Sequence, residues 1–453
     1  MTWHALLSTL PSAALTASGG DNAKFVPSMI WVLPFILMLG SIAVLPLVAE
    51  HWWHSNKNRF LVALACGLPV LGLFAAHGDW HTIGHTVHEY ASFLILLGVL
   101  YTASGGIVLR GDLQATPAVN TTFLAIGSLL ASFMGTTGAA MLLVRPLLRT
   151  NSERQFTVHT VVFFIFTVCN VGGCLTPLGD PPLFLGYLRG VPFAWTFNLL
   201  PAWAFTLGLL LVIYYLVDTY YWKKEDMQHK LHERVEVQPL RIAGSFNFVW
   251  LGAVILTVAL LTPSNVSGWL TVGEHDFFPT YGRDLALVLL ALIAYVTTSN
   301  DYRKANEFSW EPIIEVAALF FGIFLSMMAA IRLLEVNGPE LGLETPTQFF
   351  WITGILSSFL DNAPTYVVFF ETAKTLAADG SASIAGVRET FLVAISLGAV
   401  FMGAMTYIGN APNFMVKAIA EQRKVQMPSF FGYMLWSVVF LLPVFFLATL
   451  IFL

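Results

Sequence analysis

Residues 346–376 read PTQFFWITGILSSFLDNAPTYVVFFETAKTL, an apolar run broken at its centre by Asp361-Asn362-Ala363-Pro364. A helix rising 1.5 Å per residue crosses roughly 30 Å of hydrocarbon in about 20 residues and has no use for turn-formers halfway. Two half-length helices that meet at a tip, entering and leaving on one side, do. A second stretch, 118–149 (AVNTTFLAIGSLLASFMGTTGAAMLLVRPLLR), is broken in the same way by Gly135-Thr136-Thr137-Gly138. The chain is therefore expected to carry two re-entrant hairpins.

The rest of the chain fits a membrane. Hydrophobic residues make up 57% of the 453 and charged residues 11%, against about 25% charged in soluble domains; the mean hydropathy is +0.72. The formal charge of −5 is too small to argue either way, but the lack of any long basic tract argues against a nucleic-acid partner and leaves membrane lipids and a small solute as the expected ones. Cys66, Cys169 and Cys174 lie in apolar runs and are expected to pack rather than form disulfides. Residues 1–27 lack the basic start of a signal peptide and read as a flanking segment. Spanning segments are expected near 28–49, 59–77, 88–109, 156–188, 192–217, 245–262, 283–299, 312–334, 389–421 and 429–453.

Two of these spans are also interrupted, by Gly172-Gly173-Cys174-Leu175-Thr176-Pro177-Leu178-Gly179-Asp180-Pro181-Pro182 and by Gly403-Ala404-Met405-Thr406-Tyr407-Ile408-Gly409-Asn410-Ala411-Pro412-Asn413. Proline removes a backbone donor, and backbone unpaired at membrane depth is tolerated only inside protein or beside an aqueous cavity. The interruptions repeat. Glu89, Thr116-Pro117, Ser132-Phe133 and Thr176 recur as Glu315, Thr345-Pro346, Ser358-Phe359 and Thr406, at offsets between 226 and 230 residues. The expected fold is an all-α polytopic membrane protein: a first half over 28–217 with hairpin 118–149, a linker at 218–244, and a second half over 245–453 with hairpin 346–376. Lys and Arg place the linker in the cytoplasm with Lys57/Arg59, Arg149/Arg154, Arg303/Lys304 and Arg423/Lys424. The hairpins then enter from opposite sides, so the repeat is inverted, as in many secondary transporters. A membrane redox enzyme is disfavoured: of eleven histidines only His159 lies inside a predicted span rather than at its edge or outside it, and none forms an HExxH or paired axial-ligand pattern.

Asp361 and Asn362 are the leading site candidates. An ionised Asp at the bilayer centre costs about 2.5–3.5 kcal/mol on insertion scales, so it should be paired, protonated or bound to a cation. A carboxylate, an amide oxygen and freed backbone oxygens suit Na⁺; the plainer alternative is a cap on the next half-helix. Asp180, four residues after Thr176, reads as a second cation or proton ligand, or as the cap of a helix begun by Pro181-Pro182. Its repeat mate Asn410, with Thr406 and Asn413, makes the second break amide-lined, and Thr176, Thr406, Asn410 and Asn413 are expected among the ion- or substrate-binding residues. Thr136 and Thr137 offer hydroxyls at a tip where Gly135 and Gly138 permit close approach. Glu89 and Glu315 read as helix-start residues, favourable with the dipole. Glu371 either pairs with Lys374 or lines the path. His77, His81, His85 and His88 read first as a solvated polar segment, ahead of a pH sensor or metal site.

With these motifs the sequence resembles the ion transporter superfamily, which includes NhaD-type sodium/proton antiporters, citrate and dicarboxylate symporters and arsenite permeases. The resemblance covers about residues 28–450 and rests on the opposed hairpins, Asp361-Asn362-x-Pro364, Leu178-Gly179-Asp180-Pro181-Pro182 and Ile408-Gly409-Asn410-Ala411-Pro412. It implies substrate and Na⁺ sites formed by hairpin tips and unwound helices, a homodimer, and a transport domain moving against a fixed scaffold. The chain is similar to the NhaD-type group in its Asp-Asn second tip and Gly-Asp break, but departs from it at Gly135-Thr136-Thr137-Gly138. The dicarboxylate symporters carry Ser-Asn-Thr tips, which this chain lacks, although its double proline resembles their Gly-Thr-Pro-Pro break.

Electrostatics favours a cation. Two carboxylates repel citrate unless neutralised, and no Lys or Arg is predicted beside the tips. Desolvation favours the protonated carboxyl and Na⁺ the ionised one, so the two ligands compete. The expectation is an inner-membrane sodium/proton antiporter with Na⁺ and H⁺ as its ions, no organic cofactor, and Asp361, Asn362 and Asp180 holding the metal. The alternative is a cation-coupled citrate or dicarboxylate carrier, with Thr136, Thr137 and Asn362 on the anion.

Overall fold

The computed structural model describes residues 25–225, 238–266, 271–272, 275–276, 281–376 and 383–453. Most of the flanking segment 1–27, and residues 226–237 of the linker, lie outside the described residues. Among the described residues, seven helices are long and apolar enough to cross a bilayer.

The first half contains α1 (Leu33–Val48, led by a 3-10 turn at Met29–Val32), α2 (Asn56–Ala76), α3 (Trp80–Ser104), strand β1 (Val108–Asp112), α4 (Pro117–Met134), α5 (Thr136–Thr150), α6 (Val158–Thr167), α7 (Pro181–Leu188) and α8 (Leu200–Lys224). After strand β2 (Gln238–Ala243) come α9 (Asn247–Leu260), α10 (Arg283–Thr297), α11 (Glu311–Asn337), α12 (Pro346–Phe359), α13 (Asn362–Lys374), α14 (Glu389–Met402), α15 (Ala411–Gln422) and α16 (Phe430–Phe452). The short two-residue strand pairs aside, β1 and β2 form the one described ribbon, antiparallel, with Leu109 opposite Ile242 and Arg110 opposite Arg241.

Both hairpins form. Helix α4 packs on α5 and α12 on α13, and each first arm starts on the same device. Thr116 accepts from Val119 N and precedes Pro117; Thr345 accepts from Gln348 N in a full capping box and precedes Pro346. A proline at the first helical position loses no hydrogen bond there. Both interrupted spans are discontinuous as well: α6 stops at Thr167 and α7 starts at Pro181, and α14 stops at Met402 and α15 starts at Ala411.

Helix α11 is packed on by α1, α2 and α3, and α3 also meets α9 and α10. Small residues permit the tightest of these approaches: a Cβ added at Gly322 of α11 would stand 2.6 Å from the Ala63 Cα on α2. Such small-residue contacts supply packing where lipid offers no hydrophobic drive. Large apolar side chains such as Val296, Phe431 and Leu450 remain exposed, as expected where hydrocarbon surrounds the protein. All three cysteines are buried and unpaired with one another.

Three expectations need correction. The third span starts at Trp80, because Asp79 caps it by accepting from Thr82 N at 3.1 Å; the histidines at its start diluted the apolar signal. Glu89 is consequently not a helix-start residue but lies within α3, buried, with Arg189 3.0 Å away. Glu315, one turn inside α11, binds Arg59 at 2.9 Å instead of capping. His159 is buried on α6, 2.7 Å from Asp218 of α8, and Arg154 also reaches Asp218 at 2.6 Å. Asp218, at the expected start of the linker, is thus a buried residue of a helix that runs to Lys224.

Candidate functional site

The hairpin tips and the two breaks are joined by a set of hydroxyl contacts that repeats at the sequence offset. Thr176 donates its hydroxyl to the Ser132 carbonyl, and Thr406 to the Ser358 carbonyl at 2.5 Å. The same threonine oxygens then accept from Leu178 N and Ile408 N, both at 3.2 Å. Ser132 donates to the Gly172 carbonyl and Ser358 to that of Met402. Thr176 and Thr406, proposed from sequence as ligands, therefore spend their hydroxyls fastening each unwound segment to its own hairpin. Each buried hydroxyl satisfies a carbonyl at a helix end, the threonines those of the hairpin arms and the serines those of the broken segments, groups otherwise costly to bury.

The fastening leaves no spare volume. A Cβ at Gly179 would fall 2.2 Å from the Gly173 carbonyl oxygen, and one at Gly409 2.6 Å from that of Gly403. These are backbone atoms and cannot step aside. Gly179→Ala and Gly409→Ala should each lower stability by ~3 kcal/mol, the upper end of overpacking costs. Gly72→Ala, which meets nothing within 4 Å, should be neutral. Thermal melting of the purified variants in detergent checks this.

Asp180 joins the two halves. It sits at the start of α7 and is 2% exposed, yet its side chain caps nothing. Its carboxylate instead accepts three side-chain bonds, one from each of the other interrupted elements. Thr136 Oγ1 of the first tip donates to Oδ1 at 3.0 Å, Asn410 Nδ2 of the second break donates to Oδ1 at 3.0 Å, and Asn362 Nδ2 of the second tip donates to Oδ2 at 2.5 Å. Hydrogen bonds to a charged acceptor are each worth about 1.5–3 kcal/mol. The N-termini of α5, α7, α13 and α15 all converge on this carboxylate, and a helix N-terminus carries up to about half a positive charge. A buried carboxylate is thus held without any Lys or Arg bonded to it.

Asn362 is buried, and its Oδ1 has no hydrogen-bond partner. An unmet oxygen thus stands on the side chain that touches Asp180. Asp361 is half-buried; its Oδ1 accepts from Ala363 N at 3.0 Å, so the capping role is realised while the carboxylate also borders a cavity. That cavity measures about 700 Å³ and is lined by Thr136, Thr137, Asp180, Asp361 and Asn410 at its inner end and by His54, Asn56 and Glu307 at the other. It connects the tips to the face that the Lys and Arg distribution assigns to the cytoplasm. Its two arginines are both matched by acids: Arg59 to Glu315 at 2.9 Å and Arg145 to Glu307 at 3.0 Å.

Asn413 does not reach the cavity. Its Nδ2 donates to the Gly403 and Thr406 carbonyls, both at 2.9 Å, and its Oδ1 accepts from Asn170 Nδ2 at 2.8 Å. Asn170, which the sequence reading missed, also donates to the Ile165 carbonyl and accepts from Asn410, so it ties one break to the other. A polar cluster farther along was missed too. Arg189, just past α7, lies 3.0 Å from Glu89 and 3.2 Å from Glu371 of α13; Glu371 also meets Lys374 at 3.7 Å. Of the histidines, His81 and His85 are exposed and His88 lies 3.4 Å from Asp284. Among the described residues no group of His, Cys, Asp and Glu is arranged to hold a metal.

Helices of spanning length, unwound segments at their centre and a polar site between them define a multi-pass membrane transporter. The family model CitMHS_2 (Putative citrate transport) matches residues 24–453, nearly the whole chain, and the protein belongs to that family. Membership places it among secondary transporters. No curated protein sequence matches it.

Proposed function

We propose that the protein is a sodium/proton antiporter of the inner membrane, NhaD-like in mechanism, working through Asp180 and Asp361. The observation that carries this reading is the Asp180 carboxylate, buried among amide and hydroxyl donors with no Lys or Arg bonded to it. Na⁺ would draw on Asp180, the unpartnered Asn362 Oδ1 and Asp361; hard oxygen ligands of this kind suit it. A proton arriving at the same carboxylates would displace it, since a desolvated carboxyl is favoured neutral and Na⁺ favours it ionised. Thr136, Thr137 and Asn410 shape the site, while Thr176, Thr406 and Asn413 hold the unwound backbone in place. The matched contacts of the two breaks support an inverted repeat, in which alternating access exposes one site to each side in turn. A homodimer with a moving transport domain remains part of this proposal.

Three points favour a second reading, cation-coupled transport of citrate or a dicarboxylate. The family bears the citrate description, the cavity is far larger than a bare cation needs, and helix N-termini attract carboxylates. Against it, the arginines of the cavity are already paired with acids.

Proteoliposomes with an internal pH dye separate the two. Added Na⁺, with no carboxylate present, should change the lumenal pH, and Asp361→Asn should slow that change by about tenfold or more, in keeping with the cost of an altered membrane-buried charge. Silence towards Na⁺ and Li⁺, together with Na⁺-dependent uptake of labelled citrate, would hand the assignment to the carboxylate carrier.

A further inference from the structure

The walls of the inner cavity can be carried through the repeat residue by residue. Glu311 and Glu315 of α11, Arg145 of α5, and Met415 and Ile419 of α15 all line it. At the offset of 226 residues, Glu311 and Glu315 correspond to His85 and Glu89 of α3, and Arg145 to Glu371 of α13. At the offset of 230 that relates Asp180 to Asn410, Met415 corresponds to Leu185 of α7 and Ile419 to Arg189 just past it. These mates sit at the opposite membrane face. Helix α2 leaves the cytoplasmic side at Lys57 and ends at Ala76, so α3 begins outside, and α7 and α13 end there.

What is open inside is shut outside. The inner residues surround a space of about 700 Å³. Their mates are drawn together: Arg189 stands 3.0 Å from Glu89 and 3.2 Å from Glu371, His85 stands 3.9 Å from Glu89, and Leu185 is buried. Phe93 and Leu96, four and seven residues on from Glu89 and so on its face of α3, line the inner cavity. The shut region therefore continues that cavity outward along one helix. Glu89 Oε1 is buried in it without a hydrogen-bond partner, so the closed arrangement leaves a carboxylate oxygen that water would satisfy.

Given the inverted-repeat transport reading on which this rests, we propose that the Arg189–Glu89–Glu371 network is the closed outer mouth of the transport route. In the outward-open form Arg189 parts from Glu89. His85, Glu89, Leu185 and Glu371 then line a second aqueous vestibule, while α15 closes on α11 at the inner side. The two repeats exchange shapes, and the structure is the inward-open member of the pair. An ionic seal suits a mouth that opens into water. The attraction within a buried pair is largely offset by the hydration its charges have lost, and they regain that hydration as they separate. An apolar seal of the same area would have no such return.

The test is whether Leu185, buried here, meets water on the outer side. Full-length Leu185→Cys in sealed spheroplasts is treated with a membrane-impermeant thiol reagent. The unaltered protein, whose three cysteines are buried, gives the baseline. Labelling should exceed that baseline by about fivefold or more, and should fall back by a similar factor when Ala418→Trp wedges the inner cavity open, the low end of coupling between distant sites. Met415→Trp on the same inner wall serves if Ala418→Trp does not fold. Labelling no faster than the baseline, in protein that carries Na⁺ or citrate in proteoliposomes, overturns the outer mouth and leaves the transport reading standing. Labelling that neither inner wedge slows also overturns it, since local loosening of α7 would expose Leu185 whatever the far side does. Protein that carries neither solute removes the transport reading, and the mouth with it.

Discussion

Asp180→Asn should abolish transport, lowering the initial rate at least ~100-fold, the scale on which removing a single oriented charge acts in a water-excluded site. The argument is one of hydrogen-bond capacity. The carboxylate accepts from Thr136, Asn362 and Asn410 at once, which uses acceptors on both oxygens. An asparagine has one acceptor oxygen, and its amino group would face at least one of those donors. A buried donor left unpaired costs about 1–3 kcal/mol, so the variant should also melt at a lower temperature. Two readouts separate the roles. If Asp180 is a transported-ion ligand, Asp180→Asn loses transport even under conditions where it is fully folded. If the residue only braces the four elements, the folded fraction of the variant transports at the normal rate and the loss tracks stability alone. Flux per folded protein in proteoliposomes, with circular dichroism on the same preparation, decides between them.

Much of this centre was readable before any coordinates, for a simple reason. In an apolar chain, every Gly-Pro-Asn-Asp cluster at mid-run must have a structural excuse, so the tips at Gly135–Gly138 and Asp361–Pro364 and the breaks at Asp180 and Asn410 declared themselves. The offset between Thr116-Pro117 and Thr345-Pro346 then indicated two copies of one design. Division of labour within the centre was not readable. Thr176 and Thr406 looked like ligands because hydroxyls near an unwound helix usually are candidates, yet both are consumed by carbonyls of their own hairpins. Asn170 carried no local signal: it stands alone between Cys169 and Val171, and the position 230 residues on is Val400. Glu89 was misplaced because three histidines in the first turns of α3 delayed the apparent start of the apolar run, and a residue thought to begin a helix was read as serving its dipole. Arg189 fell on the boundary between two predicted spans. Its partners are 100 and 182 residues away, a distance over which sequence pattern gives no pairing rule.

Arg189 is where the second large effect is expected. Its guanidinium, Glu89 and Glu371 are 8%, 7% and 10% exposed, so the cluster behaves as a buried ion network rather than a surface pair. Removing one partner of such a network leaves an uncompensated charge and costs about 3–5 kcal/mol, whereas removing the charges together is often nearly neutral. Arg189→Gln should therefore destabilise the protein severely. The orphan is chiefly Glu89, one of whose oxygens already lacks a partner, since Glu371 keeps Lys374 at 3.7 Å. It follows that Arg189→Gln/Glu89→Gln should recover most of the lost stability, and Arg189→Gln/Glu371→Gln much less. The functional consequence is separate. Helix α7 carries Asp180 at its start and Arg189 just past its end, and α13 carries Asn362 at its start and Glu371 in its last turn. The cluster thus ties the far ends of the two half-helices that build the site to each other and, through Glu89, to α3. A stable Arg189→Gln/Glu89→Gln protein, with Glu371 left to Lys374, should keep the Asp180 contacts but lose that tie. Its transport rate should change while its apparent affinity for Na⁺ stays the same. An unchanged rate in the rescued variant would reduce the cluster to a stability element, and a changed affinity would mean that the tie reaches the carboxylates themselves.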